Sequence, residues 1–422
     1  MEYGPIWRAL SRNKLRFGLV AGQVAMTLAI VANCVTLIVQ AREKMSERTG
    51  LDEERLVAGV LSVPKTKFRD TMQRELWFQE NLYELRTIPG IQSITASGRW
   101  LWSGGPFYQV KLPNSSGDYV STGLWVADEF FPDTVGAVID EGRWFTREEA
   151  QKNTRYWYDL EGKRERLADG KMREVVMCDA VITRALGRRL FGEGPLVGKL
   201  FEDRDGDIGR VIGVIRHLHM PEWAQRQAED YMVFAPGSGN HNYTWGAQFL
   251  VRTESGKTNE VAQRINDHLQ SRYELSQTPA HPITTVREAY FGPQRMIFAL
   301  MGLLVILLLF VASASIAGLS SFSVTERTRQ IGVRRALGAT TTDILHYFLT
   351  ETGITTILGI AVGAGLAALL NIGLLKFYDG AKLSPTILGA CALLLFLVAV
   401  GAAFPPARRA SRISPAIATR NV

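Results

Sequence analysis

The chain has 422 residues, with 48 Lys and Arg against 41 Asp and Glu, which gives a formal net charge of +7 at pH 7. Its length can hold two or three domains, and an average composition of 46% hydrophobic residues hides a division into apolar blocks and one long polar block. Of the three cysteines, Cys178 is the only one in the polar block, so an internal disulfide scaffold is excluded there.

Four stretches contain no Asp, Glu, Lys or Arg, and each is longer than the roughly 20 residues that cross a bilayer. They lie between Arg16 and Arg42, Arg295 and Glu326, Glu351 and Lys376, and Lys382 and Arg408. We therefore predict transmembrane helices at 17–41, 294–321, 344–375 and 383–407. A signal peptide is the alternative for the first, but its apolar run is long and no Ala-x-Ala-like cleavage site follows it, so an uncleaved helix is favoured.

Basic residues beside the predicted helix ends give the orientation. Clusters at 8–16, 327–335 and 408–420 all fall on one side of the membrane if the four helices span it. We predict that both termini are cytoplasmic, with an amphipathic helix at 1–16 and a tail at 408–422. The charge of +7 then needs no nucleic acid, and anionic lipid headgroups are the expected contact. A plain cytosolic flank is the alternative reading of 1–16.

The polar block begins and ends with a similar order of elements. Within 42–123, the pattern predicts a strand at 56–63, a helix at 68–86 and a strand at 91–96. Within 241–292, it predicts a strand at 248–253, a helix at 259–273 and a strand at 282–286. Two such β-α-β units, about 150 residues apart, predict one split α/β subdomain with an insertion.

The insertion, at 124–240, is predicted to be a second mixed α/β subdomain. A strand at 173–178 precedes a helix at 179–190, and strands at 198–201 and 209–215 flank a polar turn.

Motifs that bind metals or nucleotides are incomplete in this sequence. Asp203-Arg-Asp-Gly-Asp207 has its Gly too early for a calcium loop and is predicted to be a hairpin turn. Gly256-Lys-Thr258 follows Val251 where a phosphate-binding loop needs its first Gly. His217-x-His219 has no nearby Cys or carboxylate partner in the sequence, and the two are predicted to be surface or structural histidines. We expect no catalysis by this chain and no cofactor bound directly to it.

A cluster of aromatic residues follows the first β-α-β unit, at Trp100, Trp102, Phe107 and Tyr108. It can be an exposed surface for a partner or substrate, or it can pack the junction between the two subdomains. The sequence leaves both readings open.

The segment 323–340, between the second and third spans, combines a helix of about three turns with strong basic charge. Gly338 is placed to end this helix, and Thr340-x-x-Asp343 resembles a capping box for the next. We interpret the segment as a docking element, with a solvated basic loop as the alternative. Its candidate site residues are Glu326, Arg327, Arg329, Ile331, Gly332, Arg334, Arg335, Leu337 and Gly338.

The run from Ser323 to Thr340 resembles the signature of the MacB/FtsX-type permease family, the membrane subunits of type VII ABC transporters. The resemblance extends to Gly4–Val39, to Pro405–Ala416 and, in the polar block, to Gly142–Phe145, Leu190–Lys199 and Val211–Val214. The aromatic cluster at 100–108 and the segment 156–171 resemble no part of the family pattern.

The resemblance implies a membrane protein with four transmembrane helices and a large extracytoplasmic α/β domain, made of a split porter-like subdomain with an inserted Sabre-like subdomain. It implies a homo- or heterodimer in the bacterial inner membrane, with cytoplasmic ABC ATPase subunits docked on 326–337. ATP hydrolysis would move the extracytoplasmic domains for export or envelope transport, a process called mechanotransmission. A periplasmic adaptor and an outer-membrane channel are further partners that it implies.

The sequence departs from the macrolide-exporter pattern because no ATPase domain is fused to these 422 residues, so ATP and Mg²⁺ are expected on a separate partner chain. The alternative function is an FtsX-like signalling subunit that activates an envelope hydrolase. A solute carrier independent of ATP fits poorly, because Asn33, Ser313 and Ser315 are few polar groups for a translocation path.

Overall fold

A computed structural model of the chain describes residues 14–61, 71–97, 107–151, 177–204, 206–219, 230–237, 247–272, 278–377 and 382–413. Two compact units are present, an outer unit of Glu47–Gly292 and a membrane unit of Met1–Ser46 with Pro293–Val422. The predicted helix at 1–16 lies almost entirely outside the described residues, and so do Trp100, Trp102 and the segment 156–171.

The described elements follow the chain in this order: α1 (Lys14–Ser46), β1 (Leu56–Leu61), α2 (Thr71–Leu85), β2 (Ile91–Ser97), β3 (Phe107–Lys111), β4 (Val120–Ala127), α3 (Phe131–Val135), β5 (Ile139–Gly142), β6 (Met177–Thr183), α4 (Arg184–Phe191), β7 (Leu200–Asp203), β8 (Ile208–Ile215), β9 (Met232–Pro236), β10 (Ala247–Thr253), α5 (Thr258–Arg272), β11 (Thr278–Pro282), α6 (Ile283–Glu326), α7 (Thr328–Ala336), α8 (Thr341–Phe377) and α9 (Pro385–Ser411).

The two β-α-β units predicted at the ends of the polar block interleave in one antiparallel sheet. Its strands lie in the order β11-β1-β10-β2, so each strand of one unit pairs with a strand of the other. This is the split β-α-β arrangement of ferredoxin-like folds. Its core joins Phe78 and Leu82 of α2 and Ile265 of α5 to Val57 and Phe249 in the sheet.

The strand predicted at 282–286 is wrong, because β11 ends at Pro282 and α6 begins at Ile283. The β-branched run after Pro282 favours a strand when it is read locally. In the structure, Ile283, Val286 and Tyr290 recur at helical spacing and pack against one hydrophobic core. Burial of that helical face decides the conformation.

The strands between β2 and β10 close into a ring. Strands β4, β3, β7, β8, β6 and β9 pair in that order, β9 returns to β4 in parallel, and β5 pairs with the end of β8. Side chains fill the interior of such a small barrel. Here the filling includes Val110, Ile182, Phe201, Val211 and Val233, each at most 2% exposed.

Two details of the inserted part test the local predictions. The polar hairpin is confirmed, because the Asp203 amide donates to the Asp207 carbonyl at 2.9 Å and the Asp207 amide donates to Asp203 Oδ1 at 2.8 Å. The helix predicted to start at Asp179 is wrong, since 177–183 form β6 and pair in parallel with β8. Asp resembles a helix N-cap, but sheet pairing and burial of the following residues override that preference.

The strands β2 and β4 are joined near Asp128, whose carboxylate is buried at the end of β4. It accepts hydrogen bonds from Thr95 Oγ1 at 2.5 Å, from the Ala96 amide at 2.9 Å and from the Phe130 amide at 3.0 Å. Burial raises its pKa to about 6, and these three hydrogen bonds offset part of that rise.

The free energy of unfolding should depend on pH through Asp128. Its pKa is about 6 in the folded chain against a reference of 3.8, so the folded state binds the proton more tightly. This contribution is present in full well below pH 4 and is lost as the pH rises through about 6. We expect the stability of the wild type relative to Asp128→Asn to fall by about 2.5 kcal/mol between pH 4 and pH 7. Thermal unfolding of the solubilised protein at a series of pH values measures this difference in stability.

The control is Asp133→Asn, at an exposed carboxylate of α3, which should keep the wild-type pH dependence. If the difference between the wild type and Asp128→Asn did not depend on pH, the raised pKa of Asp128 would be contradicted.

The membrane unit contains the four predicted spanning helices, α1, α6, α8 and α9. Each continues beyond its predicted span on at least one side, and α9 runs through Pro405 and Pro406 to Ser411. The helices differ in burial. In the apolar stretch of α1, 50% of the residues are buried, whereas in that of α6 only 6% are buried. Thus α1 is the central helix of this unit, and α6 presents most of its apolar surface outward.

Candidate functional site

The predicted docking element forms a separate short helix, α7, between α6 and α8. Arg327, with φ −100° and ψ 9°, is the single residue between α6 and α7. Gly338 ends α7 with φ +102°, its amide donates to the Arg335 carbonyl, and the Ala339 amide donates to the Arg334 carbonyl, both at 3.1 Å. This is the Schellman arrangement, which requires a left-handed residue at Gly338.

The capping box predicted for the following helix is confirmed. The Thr340 amide donates to Asp343 Oδ2 at 3.0 Å, and the Asp343 amide donates back to Thr340 Oγ1 at 3.2 Å. Two tightly specified ends therefore fix the length and direction of the connection from α7 to α8.

One face of α7 is packed inside the membrane unit, and we call it the anchored face (Arg327, Ile331, Gly332 and Arg335). Ile331 is 4% exposed and contacts a cluster with Ile344 and Phe348 of α8 and Ala407 and Ala410 of α9. The continuation of α9 past its prolines brings the two alanines to this cluster. Apolar packing therefore joins α7 to two spanning helices.

The two arginines of the anchored face make specific polar contacts. Nη1 of Arg327 lies 3.1 Å and 3.0 Å from the carboxylate oxygens of Glu351, and the side chains are 13% and 8% exposed. Nη1 of Arg335 donates to the Ile413 carbonyl at 2.5 Å. Both guanidinium groups therefore bind partners within the chain.

The opposite face of α7 is exposed, and we call it the docking face (Arg329, Gln330, Val333, Arg334 and Leu337). Leu337 is 83% exposed and Val333 is 48% exposed. The Arg334 guanidinium lies 5.0 Å from the centre of the Tyr347 ring at the edge of this face. The docking face thus combines two cations with an apolar ridge.

The structure divides the candidate residues between these two faces. Arg329, Arg334 and Leu337 lie on the docking face, while Glu326 and Gly338 are exposed at its two ends. Arg327, Ile331, Gly332 and Arg335 face inward and serve a different purpose. Sequence reasoning did not select Val333 as an exposed residue or Glu351 as a partner, although an acidic residue inside an apolar helix is itself a signal of pairing.

The aromatic cluster divides in a similar way. Tyr108 is half-buried, packs against the barrel core and donates from its hydroxyl to Asp203 at 3.0 Å. Burial raises the pKa of this phenol further above its ordinary value. Of Phe107 the structure describes the backbone in β3, while Trp100 and Trp102 lie outside the described residues. A partner surface at these positions stays a prediction.

The pair His217 and His219 lies at the outer unit's N-terminal end. His219 is 5% exposed, with Nε2 at 2.9 Å from Glu47 and Nδ1 at 2.8 Å from Asp230. The hydrogen bond between His219 and Asp230 lowers the pKa of Asp230. Among the described residues, no group of three or more His, Cys, Asp or Glu side chains could hold a metal ion.

Parts of this chain are similar to known proteins. The FtsX-like permease C-terminal family matches residues 302–415, which include α7 and both of its packing partners. The macrolide export ATP-binding/permease protein MacB of Shigella boydii is 24% identical over 420 residues, which cover 97% of this chain. Residues 302–415 thus match an FtsX-like permease domain, and nearly the whole chain is similar to MacB-type ABC permeases.

Other relatives of the permease match shorter stretches. MacB of Rhodospirillum rubrum is 30% identical over 251 residues, which cover 57% of the permease. The permease covers 37% of that protein and 59% of the Shigella boydii protein, so it spans about half the length of the curated relatives it matches.

Two solved structures match the permease in part. The periplasmic region of MacB from Actinobacillus actinomycetemcomitans is 15% identical, with a TM-score of 0.35, and the match covers 58% of the permease and 97% of that chain. The extracellular domain of the transporter YknZ is 15% identical, with a TM-score of 0.32, and the match covers 54% of the permease and 98% of that chain.

Proposed function

We propose that the permease is the membrane subunit of an ATP-driven ABC transporter whose separate cytoplasmic ATPase docks on the docking face of α7. The observation that carries the proposal is the division of α7 into a packed face and an exposed face with Leu337, Arg329 and Arg334. A solvated basic loop needs no such division.

The chemistry of the docking face indicates the surface that it would meet. An exposed leucine beside a valine fits an apolar groove, and arginines on both sides fit acidic groups at the rim of that groove. The ATPase would hold ATP and Mg²⁺, and the permease would bind no cofactor and perform no catalysis of its own.

In this proposal the protein lies in the bacterial inner membrane, with α7 and both termini on the cytoplasmic side. Movement of α7 by the ATPase would reach the extracytoplasmic domain and drive export or envelope transport by mechanotransmission. The apolar surface that α6 presents outward would contact lipid or a second permease copy, identical or not. An adaptor and an outer-membrane channel would complete the pathway.

Charge reversal on the docking face tests this function. The permease is co-expressed with candidate ABC ATPase subunits from the same genome, and the amount of ATPase that co-purifies with it is measured. Arg329→Glu with Arg334→Glu, and separately Leu337→Asp, should weaken the association at least about 30-fold, because anchor residues of an interface contribute about 2 kcal/mol or more.

The matched control reverses two exposed arginines at the end of α9, Arg408 and Arg409, which carry the same charge. Association should persist in this variant. Equal loss in both double variants would show a general effect of basic charge, and full retention in the docking-face variants would refute docking on α7. Ile331→Asp and Arg335→Glu are unsuitable probes, because both residues are packed inside the membrane unit.

A further inference from the structure

The contact between Arg327 and Glu351 differs from the other contacts of α7 because it is a buried ion pair. Glu351 lies within the candidate span of α8, one turn after Tyr347, and is 6% exposed. Burial of two charges costs desolvation energy, so such a pair is weak evidence for added stability. What the pair does supply is a defined distance and direction between the two helices that carry it.

Arg327 lies at the junction of α6 and α7, where its contact with Glu351 can set the direction of α7. It is the single residue between α6 and α7, yet the helical hydrogen bonds continue across it: its amide donates to Ser323 at 3.2 Å, and the Ile331 amide donates to its carbonyl at 3.0 Å. The backbone therefore departs from helical geometry at Arg327 while it keeps these two hydrogen bonds. Its side chain reaches α8 and not solvent, so the pair sets the angle at which α7 leaves α6.

The other end of α7 is held elsewhere. Arg335 donates to the carbonyl of Ile413, which follows α9, and Gly338 leads directly into the capping box of α8. The pair at Arg327 is thus the charged contact that joins the start of α7 to the body of α8. If it is removed, α7 stays attached by its apolar contacts, by Arg335 and by the turn into α8, but its first turn loses its charged contact with α8 and gains freedom to move against it.

A small cleft lies beside the ion pair, and Glu351 forms part of its lining. The cleft has a volume of about 50 Å³. Its lining combines the apolar side chains of Phe17, Val20, Ile316, Leu319 and Phe348 with the polar side chains of Ser320, Ser323, Glu351, Thr352 and Thr355. The cleft is mostly apolar, but it is large enough for a water molecule, and the hydroxyl groups of Ser320, Ser323 and Thr355 give it polar partners beside Glu351. A Glu351 carboxylate released from Arg327 can therefore be hydrated in place, so the chain can fold without the pair.

We propose that the Arg327–Glu351 ion pair is the positioning element that makes α8 follow every displacement of α7. The proposal rests on the proposed function, since it describes how force from a docked ATPase enters the spanning helices. It differs from docking, because neither side chain lies on the docking face. Arg327 and Glu351 should matter for coupling and leave ATPase binding intact.

The first measurement uses the permease alone. Spin labels are placed at Val333 on α7 and Ile357 on α8, both exposed, in a background with Cys34, Cys178 and Cys391 replaced by alanine. The parent should give one narrow distance distribution. Arg327→Gln and Glu351→Gln should each broaden it by about 5 Å, roughly one helical turn of movement. Arg329→Gln, which neutralises an exposed arginine of the same helix, should leave the distribution unchanged.

The second measurement adds the co-purified ATPase. Arg327→Gln and Glu351→Gln should keep ATPase association within about twofold, while the stimulation of ATP hydrolysis by the permease falls about tenfold, in the range of allosteric couplings. The exchange variant, Arg327→Glu with Glu351→Arg, should recover part of the stimulation and narrow the distance distribution again. A role of either residue that does not depend on the other gives no such recovery.

Unchanged distances in both single variants would overturn the proposal, and so would a loss of ATPase association as large as that of Arg329→Glu with Arg334→Glu. Failure of the docking proposal is distinguishable, because it shows in the association of the docking-face variants, whereas the distances of the permease alone do not depend on the ATPase. If a single variant does not fold, the same distances and the same stimulation of ATP hydrolysis are measured on Arg327→Lys, which keeps the charge, and on the exchange variant.

Discussion

Phe131→Ala should lower the free energy of unfolding of the outer unit by about 3 to 5 kcal/mol, the usual cost of removing a fully buried phenylalanine. Phe131 is 0% exposed, and its ring centre lies 5.1 Å from Trp125, 5.6 Å from Trp144 and 5.4 Å from Phe234. A cavity at this point would remove contacts from three other rings at once. The Trp144 indole also donates to the Asp128 carbonyl at 2.9 Å, so neighbouring side chains cannot easily collapse into the space.

Chemical denaturation of the solubilised permease, followed by tryptophan fluorescence, measures the effect of Phe131→Ala. Tyr83→Ala is the matched control, since Tyr83 is an aromatic residue of α2 that is 69% exposed. It should change the unfolding free energy by less than about 0.5 kcal/mol. If the two substitutions cost the same, the ring cluster is not the centre of this core.

Gly363→Leu should disrupt the packing of α1 against α8 in the membrane unit. A Cβ atom at Gly363 would lie 2.8 Å from the Ala25 carbonyl oxygen, and one at Gly359 would lie 2.8 Å from the Ala21 carbonyl oxygen. These two glycines, four residues apart, let the backbones of two membrane helices approach closely. A leucine there must push α1 away, and we expect a cost of about 3 kcal/mol or more.

The thermal stability of the permease in detergent measures this cost, and we expect the unfolding temperature to fall by at least about 5 °C. Gly365→Leu is the control, because a Cβ at Gly365 meets no atom within 4 Å and the position is exposed on the same helix. An equal loss in both variants would mean that helix propensity or lipid contact, and not close approach, explains the glycines.

The sequence by itself determined the elements whose signals are local. Charge-free runs longer than a bilayer span identified all four long helices, because an apolar solvent tolerates so few charges. Gly338 and the pair Thr340 and Asp343 marked the end of one helix and the start of the next, since left-handed backbone and a capping side chain are local requirements. The same holds for the hairpin at Asp203–Asp207.

The tertiary structure decided every feature that depends on a distant partner. The helical spacing of α7 separates Ile331 from Leu337, but only the positions of α8 and α9 show which of these faces is packed and which is exposed. Glu351 is recognisable as a partner for Arg327 only when both are seen 3.0 Å apart. Likewise, Ile283 and 179–183 adopt conformations against their local preference, because burial in a shared core and pairing in the sheet outweigh differences in propensity of at most about 1 kcal/mol per residue.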